Sequence, residues 1–279
     1  MTFAPDFGIL RQAYLTPLQH PMAAPRIFWP FLLLYETADQ LLGNSDNIKA
    51  VFGFDSGWVV LVALVLILLS WPLFAAGAIR WHRWLILGEP PTASVHTFKA
   101  RTRAYFWRTF LLAVCTLPLM SIWLGLGIAI NPTPSAKGTD GDHAQLFGWL
   151  WGFYLPAIDL MVVAFLARFV LRLPAIALEP SDGAKAAEPP QATSWRLTLL
   201  LATLPLSILY SLPTLVFPKL TPDAASMPDG ILPLWAIALD SFDNLLLALL
   251  LFYGALVFLS TLSLWYAKHE RPQLHASAA

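Results

Sequence analysis

The run WVVLVALVLILLSWPLFAAGAI, residues 58–79, contains no charged residue over 22 positions. A helix of about 20 apolar residues is long enough to cross the hydrocarbon core of a lipid bilayer. Only 12% of the 279 residues are charged, whereas a soluble domain carries roughly a quarter. We therefore expect an all-α, polytopic membrane protein built as a bundle of transmembrane helices.

Six apolar segments are candidates for crossing the bilayer: 27–43, 58–79, 105–130, 146–171, 195–217 and 233–265. The last segment is too long for one crossing. Its continuous apolar part, 245–265, spans alone, and residues 233–244 either continue above the membrane or lie along its surface. The sequence thus predicts a six-span domain over 27–266, between a cytoplasmic amphipathic segment at 1–26 and a cytoplasmic tail at 267–279.

Lysine and arginine are unevenly distributed between the two sides of such a bundle. Of the 17 Lys and Arg residues, 14 lie in or beside the N-terminal segment, the second and fourth connections between spans, and the tail. The other three connections hold one each. Because cytoplasmic loops carry an excess of Lys and Arg, we predict a multi-pass protein of the bacterial inner membrane with both termini in the cytoplasm.

The segment IRWHRWLILGE, residues 79–89, marks the predicted inner boundary of the second span. Tryptophan and arginine favour the membrane–water interface, where one end of the side chain is apolar and the other wet. We predict these interfacial anchors: Arg80, Trp81, Arg83, Trp84, Trp107 and Trp195. We interpret His82 as a titratable ring at the lipid headgroups rather than a ligand. Gly88 and the following Pro90–Pro91 should end the helix.

A second amphipathic stretch, FGILRQAYLTPLQ at 7–19, precedes the first span. Phe7, Leu10, Tyr14 and Leu18 recur at spacings of three and four residues, which is typical of a helix with one apolar face. We expect this helix to lie in the inner membrane interface. Recognition of a protein partner is the alternative.

The hairpins at 58–130 and 146–217 share short motifs. Each contains a Glu-Pro pair, then Trp-Arg at the start of the next span, then Thr-Leu-Pro-Leu, and the two Trp-Arg pairs are 88 residues apart. Since both hairpins run in the same direction, a duplication would relate them by an axis along the membrane normal. Chance similarity between leucine-rich segments is the alternative.

The segments FVLRLPAIALEP…SWRLT and WHRWLILGEPP resemble a group of bacterial six-span membrane proteins. That group is related to the YciC-like proteins and to the membrane domain attached to some glycerophosphodiester phosphodiesterases. The resemblance covers most of the chain and implies a six-helix inner-membrane bundle with no established activity. It carries over no functional residue. It does not extend to the phosphodiesterase barrel, for which we find no segment outside the spans.

Ionisable groups inside a bilayer are costly and are candidates for function. Glu36, Asp39 and Asp159 lie within predicted spans, with no Lys or Arg at comparable depth. They could line a proton or cation path. In the alternative, each acid is neutral and hydrogen-bonded to a neighbouring helix, or is reached by water from the outer leaflet.

Recognisable catalytic motifs do not occur in the sequence. It contains no Walker A loop, Gly-x-Ser-x-Gly or His-Glu-x-x-His, and all six histidines lie outside the spans. We therefore expect no enzyme, cofactor or metal, and the zero net charge argues against nucleic acid. The leading hypothesis is a scaffold or accessory factor in contact with the lipid bilayer, with protein partners or a second copy as further candidates. A small proton- or cation-coupled transporter or channel is the alternative.

Overall fold

The computed structural model describes residues 4–43, 56–91, 99–130, 156–157, 160, 167–178, 194–216 and 234–269. Its helices are α1 (Phe7–Gln19), α2 (Ala23–Gly43), α3 (Ser56–Leu87), α4 (Lys99–Ile130), α5 (Ala167–Val170), α6 (Arg172–Leu178), α7 (Ser194–Val216) and α8 (Leu234–His269). No strand occurs in these ranges, which confirms the all-α class for the described part of the chain.

Two stretches in the described ranges are long and apolar enough to cross a membrane, Gly57–Leu87 with 31 residues and Leu245–His269 with 25. Helix α8 runs unbroken over 36 residues, or about 54 Å at the helical rise. Residues 234–244 therefore continue the helix that contains the apolar run. Their position relative to the membrane stays a prediction. The total of six spans stays a prediction.

The helices pack most closely at one end, which we call the hub. The hub consists of α1, α5 and α6, the first turns of α2, α4 and α7, and the last turns of α3 and α8. Its largest fully buried side chains include Phe28, Ile79, Trp81, His82, Tyr105, Leu199, Leu259 and Leu262. Since these residues come from both ends of the chain, the hub is held together by contacts between segments that are far apart in sequence.

Away from the hub, the two long helices leave most of their apolar surface uncovered. Only 22% of the most apolar stretch of α3 is buried, and only 33% of that of α8. The exposed side chains there include Trp58, Leu61, Leu64, Leu68, Leu69, Leu245, Leu246 and Leu249. We call these exposed faces the apolar belt. Exposing such surface to water costs about 25 cal/mol per Å², so the belt suits an apolar environment better than water.

Helix α2 packs closely on α3 because small residues line the contact. Ala75 and Ala78 are fully buried, and Gly77 lies directly against the ring of Phe28. A Cβ added at Gly77 would lie 2.5 Å from two atoms of that ring. Phe28 in turn packs edge-on against Phe252 of α8, with ring centroids 5.4 Å apart. The absent side chain at position 77 thus makes room for an aromatic residue that joins three helices.

The C-terminal end of α3 confirms the predicted stop at Gly88. The helix ends at Leu87, and Gly88 adopts a φ of 66°, a left-handed conformation that only glycine adopts without strain. Its N–H donates to the carbonyl of Trp84 at 3.0 Å, which satisfies one of the last free carbonyls of the helix. The turn places Glu89 beside Arg83, on the preceding turn of the helix.

Helix α1 has the predicted bounds but a different buried face. It packs against α7 and α8 and buries Ile9, Leu10, Ala13, Thr16 and Pro17. Phe7 and Leu18, which we placed on the apolar face, are 70% and 62% exposed. The predicted apolar face is thus divided between the hub, which buries Leu10, and the outside of the protein. The position of α1 in the membrane interface stays a prediction.

The second hairpin of the predicted repeat, 146–217, lies largely outside the described residues. The relation between the two hairpins therefore stays a prediction.

Candidate functional site

A buried polar network joins three helices inside the hub. His82 of α3 is fully buried, with Nδ1 2.7 Å from Ser263 Oγ on α8 and Nε2 3.0 Å from the Tyr105 hydroxyl on α4. The Ser263 hydroxyl donates to the carbonyl of Leu259, so its oxygen accepts from Nδ1–H. Nε2 then accepts from the hydroxyl of Tyr105, and every group is satisfied by a neutral imidazole.

This network corrects the predicted position of His82 at the lipid headgroups. The imidazole can be buried inside the protein because Ser263 of α8 lies beside it and accepts the hydrogen bond from Nδ1–H. The sequence offers a partial signal for this arrangement. Ser260, Thr261 and Ser263 are three hydroxyl residues near the end of the apolar run of α8, and all are buried.

Trp81 likewise faces inward, which corrects its prediction as an interfacial anchor. Its ring is fully buried, and the indole N–H donates to Ser260 Oγ at 3.0 Å. Trp195 is also buried, at 3% exposure, so it does not face the membrane surface. Trp84 is partly exposed and packs against Trp81. Trp107 is 49% exposed, as an anchor requires, and its anchoring role stays a prediction.

Arg83 holds α6 against the end of α3. Its guanidinium pairs with both carboxylate oxygens of Glu89, with an Nε–Oε2 distance of 2.7 Å, and also donates to the carbonyl of Ala177 at 3.2 Å. A two-pronged arginine–carboxylate pair fixes geometry as well as charge. Glu89 therefore holds the Arg83 guanidinium in the position from which it binds α6.

Positive charge is concentrated at the hub. Both lysines and all ten arginines of the described ranges lie on hub segments. The described acids of the hub are Asp6 and Glu89. The Nε atoms of Arg80 and Arg172 are buried without a hydrogen-bond partner, as is the Thr102 hydroxyl. A buried unpaired donor costs about 1–3 kcal/mol. The hub thus carries unsatisfied donors together with excess positive charge.

A separate groove lies between α2, α3 and α8, and Glu36 forms part of its wall. Its volume is about 160 Å³. Its lining residues are Phe31, Leu32, Tyr35, Glu36, Phe74, Ala248, Leu251, Phe252 and Ala255. Asp39 lies one turn further along α2 and is close enough to repel Glu36. Among the described residues, neither acid forms an ion pair. Asp159 lies outside the described residues.

No protein-family model, no curated protein and no solved structure matches this chain. The resemblance to the YciC-like group therefore stays a prediction.

Proposed function

We propose that this chain is a multi-pass inner-membrane protein that acts as a scaffold or accessory factor without enzymatic activity. The observation that supports it best is the apolar belt on α3 and α8. In a soluble protein, a helix of this hydropathy is a core helix and is mostly buried. Here the same stretches face outward, which favours lipid as the surrounding medium.

The distribution of positive charge supports a cytoplasmic position for the hub. Every described Lys and Arg lies on a hub segment, and cytoplasmic ends of membrane proteins are enriched in these residues. The Asp6–Lys268 ion pair brings residues near the two ends of the chain to the same side. In this proposal, the helices cross the bilayer and are joined at its inner face.

The scaffold role is supported by the use that the hub makes of its polar side chains. His82, Trp81 and Arg83 each connect α3 to another helix. These side chains hold α3 in a fixed position relative to α6 and α8. Such an arrangement suits a protein whose task is to present a fixed surface at the membrane.

Topology can be tested by cysteine labelling in a Cys115→Ser background. We expect Asp140→Cys and Ala225→Cys to react with a membrane-impermeant reagent added outside, and Val95→Cys and Lys185→Cys to react only after permeabilisation. Resistance of the protein to alkaline carbonate extraction measures membrane insertion independently. The opposite labelling pattern would reverse the orientation, and release by carbonate would reject the membrane proposal.

The groove beside Glu36 favours proton- or cation-coupled transport as a second candidate function. A carboxylate in an apolar wall, without an ion pair in the described ranges, is the type of group that a cation path uses. If the path exists, Glu36→Gln should abolish flux into proteoliposomes while leaving the melting temperature unchanged. Asp6→Asn removes an acid outside the groove and is the matched control. Wild-type protein without pH- or cation-dependent flux would eliminate this candidate.

A further inference from the structure

Two arginines of the hub interact across neighbouring helices, and the packing of α3 against α4 and α6 brings a third toward them. Arg108 of α4 and Arg172 of α6 are near enough to repel each other electrostatically. Arg80 precedes Arg83 by three residues and so lies on the same face of α3, the face that contacts α6 through Ala177. Arg172 is five residues before Ala177 on the same short helix, or about 7.5 Å along its axis, so it belongs to the segment that Arg83 contacts.

The register of α3 against α4 places Arg108 at the same level. The contact between His82 and Tyr105 fixes two residues opposite each other on these two helices. The helices are antiparallel, so three residues back from His82 on α3 corresponds to three residues forward from Tyr105 on α4. This register puts Arg108 at the level of Ile79, and so within about one residue's rise of Arg80 along the helix axis.

The donors of this cluster are incompletely used by the protein. The Nε–H groups of Arg80 and Arg172 are buried and have no hydrogen-bond partner. Glu89, the acid of the described residues nearest to this region, is bound by Arg83. Like charges held together with unsatisfied donors are unfavourable unless an anion joins them.

The first turns of two long helices contain cations and no acid. Helices α4 and α7 both begin in the hub, and neither has an acid in its first turn. Lys99 and Arg101 occupy the first turn of α4, and Arg196 that of α7. The positive end of a helix dipole favours negative charge and disfavours cations. An anion bound beside these first turns would interact favourably with both the cations and the positive ends of the helix dipoles.

We infer that Arg80, Arg108 and Arg172 form a binding site for the phosphate group of an anionic phospholipid. Guanidinium groups match phosphate oxygens in pairs and are the usual protein ligands for them. The apolar belt of α3 begins about three turns from Arg80, so acyl chains can lie along it while the headgroup binds the cluster. The inference rests on the proposed membrane location and names the lipid that the hub selects.

The site can be tested in micelles of a non-ionic, phosphate-free maltoside detergent by thermal melting of the full chain during titration with phosphatidylglycerol. The test variant is the pair Arg108→Gln with Arg172→Gln. The matched control is Arg103→Gln, an exposed arginine on the same helix. We expect the half-saturating lipid concentration to rise at least about tenfold in the pair, because charged hydrogen bonds are lost. It should change less than about twofold in the control, which loses only exposed charge.

The variants also carry an internal check on folding. Without anionic lipid, the pair should melt no lower than the wild type, because it removes two charges that repel each other. If the pair does not fold, Arg80→Gln replaces it with the same expectation for lipid affinity. Native mass spectrometry then counts the phospholipid molecules that each folded variant retains.

A parallel titration with inorganic phosphate distinguishes the source of the ligand. Stabilisation by phosphate alone, lost in the same pair, would support the anion site but overturn its assignment to a lipid. Equal weakening in the pair and in the control would overturn the site, since diffuse charge would then explain the binding. Protein that resists carbonate extraction yet shows no saturable response to phosphatidylglycerol refutes the site alone and leaves the membrane proposal standing.

Discussion

At the scale of single residues, the hub pairs buried polar side chains with one another. The imidazole of His82 bridges hydroxyls from two other helices, and the indole N–H of Trp81 finds a third. Burying one such group without a partner would cost more than the hydrogen bond contributes when it is made. The network therefore favours one arrangement of α3, α4 and α8.

The coupling between His82 and Tyr105 can be measured by a double-mutant cycle. We expect Tyr105→Phe to lower the free energy of unfolding by about 1–3 kcal/mol, since Nε2 of His82 would stay buried and unpaired. His82→Leu should be destabilising for the same reason. The double variant should cost less than the sum of the two single changes, and additive losses would contradict the direct interaction. Chemical unfolding in mixed micelles provides the measurement.

At the scale of helices, the closeness of α2 and α3 depends on the absence of a side chain. Gly77 faces the Phe28 ring, whereas Gly254 of α8 has ordinary space, with Leu206 atoms 3.8 Å from an added Cβ. Both glycines lie inside helices, where alanine is intrinsically favoured by about 1 kcal/mol. Alanine substitutions at the two positions therefore separate the effect of packing on stability from the effect of helix propensity.

We expect Gly77→Ala to lower stability by about 1–3 kcal/mol, because the Phe28 ring must move out of its contacts with α3 and α8. Gly254→Ala is the matched control and should be neutral or slightly stabilising. Adding Phe28→Leu to the Gly77→Ala variant should recover part of the loss. Equal effects of the two alanines on the melting temperature would show that the Phe28 contact does not limit the approach of α2.

At the scale of the whole molecule, α1 connects the two ends of the chain. The Asp6 carboxylate caps α1 by accepting from the N–H of Ile9 at 3.1 Å and also pairs with Lys268 at 2.5 Å. Tyr14 donates to the carbonyl of Ala202 at 2.8 Å, and Tyr253 donates to the carbonyl of Tyr14 at 2.7 Å. Helix α1 is therefore a structural part of the hub.

The Asp6 pair should make stability depend on pH in acid. Burial alone would raise the pKa of Asp6, but the hydrogen bond from Lys268 and those from backbone N–H groups lower it below 3.8. Because the folded pKa is lower, the contribution is present above pH 3.8 and is lost as pH falls through the folded pKa. The pair is solvent-accessible, so we expect a loss within about 1 kcal/mol.

Two substitutions separate the ion pair from the helix cap. Asp6→Asn keeps a good capping side chain and should remove the pH dependence at little cost to stability near neutral pH. Asp6→Ala loses both functions and should cost about 1 kcal/mol more. Melting curves between pH 2 and about 7 test this order. An unchanged acid dependence in Asp6→Asn would assign that dependence to another group.

The helical class of the described elements, the bounds of α1 and the end of α3 could be predicted because they depend on local chemistry. The starts of α2 and α4 could not, since they lie four and six residues before the predicted apolar segments. Gly88 stops α3 through its own backbone, and α1 begins after the Asp6 cap. The direction in which Trp81 and His82 face could not be predicted in the same way. A lipid headgroup and a buried serine can both supply the hydrogen bond that an indole or an imidazole needs. The serines that supply it here, Ser260 and Ser263, lie about 180 residues further along the chain.

The long sequence separation between α1 and its partners also affects the order in which the hub can form during synthesis. Asp6 meets Thr198 across 192 positions and Lys268 across 262. A ribosome adding about 5–20 residues per second reaches those partners only after roughly 10–50 seconds. During that interval the first helix to emerge has no finished surface to receive it. Completion of the hub therefore requires synthesis through Lys268, and a product terminated before that residue would leave α1 undocked and open to proteolysis.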